Sequence, residues 1–329
     1  MQVSPLPGAT FGGLLHVKAD AVAFADLAER EPDVLPHLLN THQGLLLIKG
    51  MNSINNSPNT LLRLSRLFGE EVENYHETRM AHQNVHTKIP EIFLVSNIPP
   101  ANRLPPPLPN PSLTRDGKLP TQFPHRRGWH TDQSYRRPPP DVSLFYCVIP
   151  APKDQAQTLF ANGVGAYLAL SEKMKRTVEN LIGIHSKPGI GRSEYAALSG
   201  ELPKILNPAD QPQIQPVART HPITGAKALY LCEAGQMDWI DGPFVNMEKG
   251  PDGGGAKLLY KLMSHYTQPN FIYVHEWDAG DLLIYDNRML IHAATWYDVK
   301  KYHRLMWRTT VRGNPGLEYD GEEKSWLSV

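Results

Sequence analysis

The stretch Asp281-Leu-Leu-Ile-Tyr-Asp-Asn-Arg-Met-Leu-Ile-His292 opens as a strand. Asp281 to Tyr285 is a short apolar run entered through Gly280, the signature of a buried strand. Downstream, Arg304-Leu-Met-Trp-Arg-Thr-Thr-Val311 is a second strand candidate. Upstream, Val142 to Ile149 is rich in aromatic and β-branched residues, and Thr158 to Ala161, Gln213 to Thr220, Ala228 to Cys232 and Phe271 to Val274 read the same way. Gly44 to Ile48 and Ile92 to Val95 add two short runs. Helical spacing is confined to Ala21 to Arg30, Leu61 to Phe68, Tyr167 to Leu181 and Ala256 to Tyr266. Ser57-Pro58 is expected to open the second of these, with serine at the N-cap and proline in the first turn. The strands do not alternate with helices, which argues against a doubly wound parallel sheet. The expected fold class is mainly β with flanking helices: an antiparallel double-sheet barrel of jelly-roll, cupin-like type.

The 329 residues contain no obvious repeat and are expected to form a single catalytic domain over 1–329. Hydrophobic residues make up 41%, enough for a substantial core, and 33 basic residues cancel 33 acidic ones. A chain without net charge offers no field for nucleic acid or an anionic membrane, so neither is an expected partner. Met1 to Thr10 lacks a basic region followed by an apolar run, and no segment has the length of a membrane span. Cys147 and Cys232 each sit in apolar runs and are expected as buried thiols, which fits a cytoplasmic location. Oligomeric state is left open between monomer and homo-oligomer.

Proline is unevenly spread. The segment 99–128 is dense in it, from Pro99-Pro100 through Pro105-Pro-Pro107 to Pro111. Proline fixes φ and removes a donor, so this is neither helix nor central strand. It leads directly into Gly128-Trp-His-Thr-Asp132 and is expected to be an insertion or lid beside a site.

His130 and Asp132 are two residues apart, so in an extended segment both point to one face while Trp129 packs the other way. A His-x-Asp pair arises often by chance, and His292 alone reads as a core histidine. Together they are two imidazoles and one carboxylate, the ligand set of non-haem Fe(II) oxygenases. The last strand adds context. At period two, Arg304, Met306, Arg308, Thr310 and Arg312 share one face, and Leu305, Trp307, Thr309 and Val311 share the other. Several guanidinium groups on an inner wall are costly unless anions meet them, and arginine forks bind carboxylates bidentately. A solvated arginine face is the alternative.

These residues resemble the taurine dioxygenase/aryloxyacetate dioxygenase family of Fe(II)- and 2-oxoglutarate-dependent oxygenases. Three segments carry the match: Trp129-His-Thr-Asp132; His221-Pro-Ile-Thr-Gly-Ala-Lys-Ala-Leu-Tyr230; and Trp277-Asp-Ala-Gly-Asp281 onward through Asp286-Asn-Arg288 and His292 to Arg304-Leu-Met-Trp-Arg308-Thr-Thr-Val311. The resemblance implies a double-stranded β-helix, with His130, Asp132 and His292 as iron ligands and Fe(II), 2-oxoglutarate and O2 as cofactors. It gives Arg308 and Thr158 the distal carboxylate of 2-oxoglutarate, and Arg304 the carboxylate beside the keto group. It implies no catalytic residue beyond the metal centre. Gln155-Ala-Gln-Thr158 stands where the family often has Gly-Gly-Asp-Thr. Asp132 is retained, which disfavours the halogenase variant lacking that ligand.

The implied reaction hydroxylates an unactivated C–H bond of a small organic substrate, releasing succinate and CO2. Desaturation or cyclisation by the same iron chemistry is one alternative, and a non-oxygenase metal-dependent barrel enzyme is another. A non-catalytic jelly-roll binding module has no need for the ligands and the arginines together. Tyr75, His76, Gln133 and Tyr135 are the candidate substrate contacts. Arg126, Arg127, Arg136 and Arg137 bracket the ligand pair, a basic cluster that suits either an acidic or polar substrate or a solvated loop.

Overall fold

The structure is a computed structural model and describes residues 2–78, 82–106, 128–202, 206–233 and 235–312. In chain order the strands are β1 Gln2–Pro5, β2 Gly13–His16, β3 Leu45–Ile48, β4 Glu71–Val72, β5 Phe93–Ser96, β6 Val142–Ile149, β7 Thr158–Asn162 and β8 Ile182–His185. They continue as β9 Gln213–Pro216, β10 Ala218–Thr220, β11 Lys227–Leu229, β12 Ile272–His275, β13 Leu282–Asp286, β14 Leu290–Ala294 and β15 Leu305–Arg312. The α-helices are α1 Ala21–Arg30, α2 Val34–Thr41, α3 Asn59–Arg66, α4 Gly163–Leu168, α5 Glu172–Glu179, α6 Glu194–Ser199 and α7 Gly254–Tyr266.

Two sheets carry the architecture. The larger runs β1-β2-β3-β13-β6-β15-β4, with β5 also on β15; the smaller runs β12-β7-β14. Neighbours are antiparallel except β2 with β3. The sheets meet face to face: Phe145, Leu283, Tyr285 and Met306 of the larger pack with Phe160 and Leu290 of the smaller in one buried cluster. The outer face of the larger sheet, with Leu144, Ile284, Trp307 and Val311, is covered by α1, α2 and α3. Both faces of β15 are therefore inside the protein. The arginine face is the one between the sheets, and the solvated alternative does not hold.

Local sequence explains most element ends. Asp20 caps α1 by accepting from the backbone of Val22 and Ala23. The helical period expected over 167–181 is two helices, because Ser171 accepts from the Met174 N–H and starts a new one. The strand expected over 213–220 breaks at Val217: its N–H goes to Leu181 and its carbonyl to Tyr230, so the chain switches sheets there. Ser57 does not cap α3; Pro58 holds the N-cap position without a side-chain bond. Cys147 and Cys232 are buried free thiols, and burial pushes both up to about 12. No helix of the described residues is long and apolar enough to cross a membrane.

His185 on β8 is fully buried, and its Nδ1 lies 2.8 Å from the Ser134 hydroxyl. Burial, then the charge of Arg219, depresses it to about 3. An unfolded histidine titrates near 6.5, so this group favours the fold fully above that pH and progressively less as pH falls towards 3. By pH 5 the loss is about 2 kcal/mol. Denaturant titrations of metal-free protein between pH 7 and pH 5 should show a slope that includes this loss, and His185→Gln should make it shallower by about that amount while the share of buried His292 remains.

Candidate metal centre

Backbone pairing joins the two sequence-distant ligand segments. His130 lies opposite His292 in an isolated antiparallel bridge, with N–H to O=C bonds of 3.0 and 2.7 Å in both directions. The two rings stand 4.3 Å apart. Asp132 follows on the same side, and ligand atoms of His130, Asp132 and His292 lie within 4.8 Å of one another. Trp129 points away and is buried in the core beside the smaller sheet.

The donor chemistry fits a divalent metal. His130 Nδ1 donates to the Gly128 carbonyl at 2.7 Å, which leaves the Nε2 lone pair free. His292 Nε2 lies 3.9 Å from Asp132 Oδ1. Burial depresses both histidines, His292 to about 3, so both imidazoles are neutral and able to ligate. Burial alone would raise Asp132, but the Arg308 guanidinium, helped by the Tyr285 hydroxyl, holds its carboxyl well below the usual range.

Asp132 is fixed by the strand register beneath it. Tyr285 on β13 and Ser143 on β6 are cross-strand partners. Their hydroxyls donate together to Asp132 Oδ2, at 2.8 and 2.9 Å. That leaves Oδ1 facing the histidines, with the Arg308 guanidinium also on it. The backbone of the same loop is held by Asn287, in the turn between β13 and β14. Its Oδ1 accepts from the Asp132 N–H at 3.1 Å and from the Thr131 hydroxyl at 3.2 Å, while its Nδ2 donates to Ser143 at 3.0 Å. Asp286 locks this turn, accepting from Arg288 at 2.6 Å and meeting His221 Nε2 at 3.1 Å.

Beside the metal ligands is a cavity of roughly 410 Å³, lined by His130, Trp129, Ala294, Thr295, Tyr297, Arg304 and Arg103 among others. Arg304 is 5% exposed, lies over the Phe145 ring at 5.8 Å and has no ion pair among the described residues. Burial lowers its guanidinium to about 10. Phe145 in turn stands edge-on to Trp277, whose indole N–H donates to Thr158 Oγ1 at 3.0 Å. Arg304 and Thr158 thus flank one aromatic pair, whereas Arg308, the register partner of Phe145 on β15, reaches Asp132.

A profile of the family described as "Taurine catabolism dioxygenase TauD, TfdA family" matches residues 2–310. The chain belongs to that family. Among TauD/TfdA relatives, the alpha-ketoglutarate-dependent 2,4-dichlorophenoxyacetate dioxygenase of Burkholderia sp. (strain RASC) is 30% identical over 203 residues, covering 60% of this chain and 62% of that protein. Pentalenolactone F synthase of Streptomyces arenae is 25% identical over 306 residues, covering 91% of each. The matches to the first three curated relatives span 62%, 48% and 64% of their lengths. The crystal structure of AAD-2 in complex with Mn(II) and N-oxalylglycine superposes with a TM-score of 0.67 at 25% identity, over 95% of this chain and 97% of that one. A taurine dioxygenase from Burkholderia xenovorans superposes with a TM-score of 0.66 at 23% identity, over 95% and 89%.

The substrate candidates on this TauD/TfdA scaffold are scattered. Tyr75 is fully buried, its hydroxyl 2.7 Å from Thr310. His76 is exposed, its ring 4.8 Å from that of His82 and tilted by 45°. Gln133 is buried in a network with Glu73 and Arg312. Tyr135 is half-buried under the Arg136 guanidinium at 5.6 Å. None of the four lines the cavity. Arg136 is buried, and Arg137 donates to the Ile214 carbonyl. Arg126 and Arg127 lie outside the described residues. Sequence reasoning did not single out Asn287, Ser143 or Tyr285, whose roles are contacts across the fold.

Removing Asn287 frees the Asp132 loop while leaving every ligand in place. Asn287→Ala should weaken Co(II) or Mn(II) binding by about 10- to 100-fold, the usual cost of losing a group that orients a metal ligand. Equilibrium dialysis measures this, with the melting temperature of the metal-free variant as the control for folding.

Proposed function

We propose that the protein is an Fe(II)- and 2-oxoglutarate-dependent dioxygenase that hydroxylates a C–H bond of a small organic substrate. One oxygen atom of O2 enters the substrate and the other enters succinate as 2-oxoglutarate loses CO2. The observation that carries this reading is the His130/Asp132/His292 cluster beside a buried guanidinium that no carboxylate among the described residues neutralises. The two facing antiparallel sheets support reading the architecture as a double-stranded β-helix, with the ligands where the sheets meet.

His130, Asp132 and His292 would hold the iron, which when bound supplies the oxygen activation that no side chain here can provide. The protein orients and encloses. Ser143 and Tyr285 occupy Asp132 Oδ2, which favours one-oxygen ligation through Oδ1. Thr158 and Arg304 would hold the distal carboxylate of 2-oxoglutarate. Thr158 Oγ1 already accepts from Trp277, so its own proton is available to donate. Arg304 offers a fork that burial has stripped of water. This reverses the roles that the resemblance gives the two arginines. Supporting the reversal, Arg308 already pairs with the Asp132 carboxylate, whereas Arg304 has no ion pair among the described residues and is free for an incoming anion. Apolar Phe160, stacked on the His292 ring, excludes water from that side of the ligands.

The test is oxygen uptake with succinate release from 2-oxoglutarate in the presence of Fe(II), with product analysis separating hydroxylation from desaturation or ring formation. His130→Ala should abolish both signals. Arg304→Gln should raise KM for 2-oxoglutarate by about 10- to 100-fold, the worth of a charge-assisted bond. An unchanged KM in Arg304→Gln together with a raised KM in Arg308→Gln would restore the roles implied by resemblance.

A further inference from the structure

Away from the cavity, two exposed histidines stand against each other. The ring centres of His76 and His82 are 4.8 Å apart. Their planes are tilted by 45°, so the contact is not a flat stack. Neither imidazole has a hydrogen bond or ion pair among the described residues. Nothing in the dioxygenase reading uses this pair.

The fold, rather than a chance meeting of two side chains, sets their spacing. Tyr75, just before His76, is fully buried; its N–H donates to the Pro90 carbonyl at 3.0 Å and its hydroxyl lies 2.7 Å from that of Thr310. The His76 N–H itself donates to Asn74 Oδ1 at 3.1 Å. On the other side, His82 opens a short 3-10 helix, His82–Asn84, and its carbonyl accepts from the Val85 N–H at 3.1 Å. Val85 packs with Tyr75 and Phe93 in one buried cluster. Both histidines therefore spring from backbone anchored to the same small core.

Their separation suits chelation. With metal–nitrogen bonds of about 2.0–2.1 Å, two imidazoles meeting on one ion at about 90–110° have ring centres about 4.5–5.2 Å apart. The His130 and His292 rings of the metal centre stand at 4.3 Å. The nearby Glu77 carboxylate accepts from the Asn74 amide at 2.8 Å, and among the described residues no third ligand group joins the pair. Calcium and magnesium require oxygen ligands, so an all-nitrogen pair disfavours them. Imidazole suits zinc, copper and nickel, which also bind nitrogen sites more tightly than iron or manganese do.

We propose that His76 and His82 form a second metal site, a surface clip for a late divalent ion such as zinc, with solvent in the remaining positions. A bound ion would tie the turn at 74–78 to the 3-10 helix, on the outer side of the Tyr75, Val85 and Phe93 cluster. The proposal is independent of the dioxygenase reading, and it differs from the metal centre in lacking a carboxylate ligand.

The test is equilibrium dialysis of full-length, tag-free protein against micromolar zinc, with bound zinc counted by elemental analysis. Wild type should bind one zinc ion more per chain than either His76→Ala or His82→Ala, and the affinity for that ion should fall at least about tenfold in both, since losing even a group that only orients a ligand costs that much. His37→Ala, which removes an exposed histidine on α2, should keep the ion, and so should His130→Ala, which disables the metal centre. Both clip substitutions are on the surface, so the melting temperature without metal should match wild type. The proposal is overturned if wild type binds no more zinc than the two clip variants, if only one of those variants loses the ion, or if His37→Ala or His130→Ala loses the same ion.

Discussion

The backbone pair between His130 and His292 is the constraint on which the rest depends. Two hydrogen bonds, 3.0 and 2.7 Å, hold residues far apart in the chain directly opposite each other. Directly opposed residues in a sheet carry their side chains on the same face. One short bridge therefore sets the spacing of the two imidazoles, and Asp132, two residues on, falls on the same face. Everything around the bridge works to hold it. Phe160 pairs in register with His292 and stacks on its ring. The Glu233 N–H bonds the Trp129 carbonyl on the other side.

The larger sheet supplies the chemistry in rows. Tyr285, Ser143 and Thr310 are register neighbours across β13, β6 and β15, and Tyr75 closes that row through its hydroxyl. Leu283, Phe145, Arg308 and Phe93 form the next row. Hydroxyls thus lie under the carboxylate ligand, and aromatic rings lie beside the guanidinium groups. The arrangement places several charges in a low-dielectric interior, where each needs a partner. Asp132 has Arg308, and Asp286 has Arg288 and His221. Arg304 has none among the described residues, and the cavity beside it is where an anion would serve.

Much of this was legible in the sequence because it is periodic. Val142 to Ile149 and Asp281 to Tyr285 announce themselves as buried strands, and the alternation of Arg304 to Arg312 separates the two faces of β15 correctly. Strand β14 was harder: Leu290-Ile-His-Ala-Ala294 follows Asp286-Asn-Arg288 so closely that its pattern is too short to stand alone. The single helix expected over 167–181 failed because the apolar period continues through Ser171 while its side chain restarts the helix. The site divided the same way. Ligand types and spacing were visible in the chain. The grip of Asn287 on the Asp132 loop, and the separation of Arg304 from Arg308, are distances across the sandwich that one-dimensional spacing does not encode. The substrate candidates near Asp132 fared worst: Gln133 is consumed by Glu73 and Arg312, and His76 is on the surface.

The central claim is that this fold brings His130, Asp132 and His292 onto one metal and turns Arg304 towards the cosubstrate. Anomalous diffraction from crystals grown with Mn(II) and 2-oxoglutarate without oxygen measures it most directly. The account predicts one anomalous peak bounded by the two imidazoles and Asp132 Oδ1, with the distal carboxylate on Arg304 and Thr158. A peak that leaves out any of the three ligands, or a distal carboxylate lying on Arg308 instead, would contradict it.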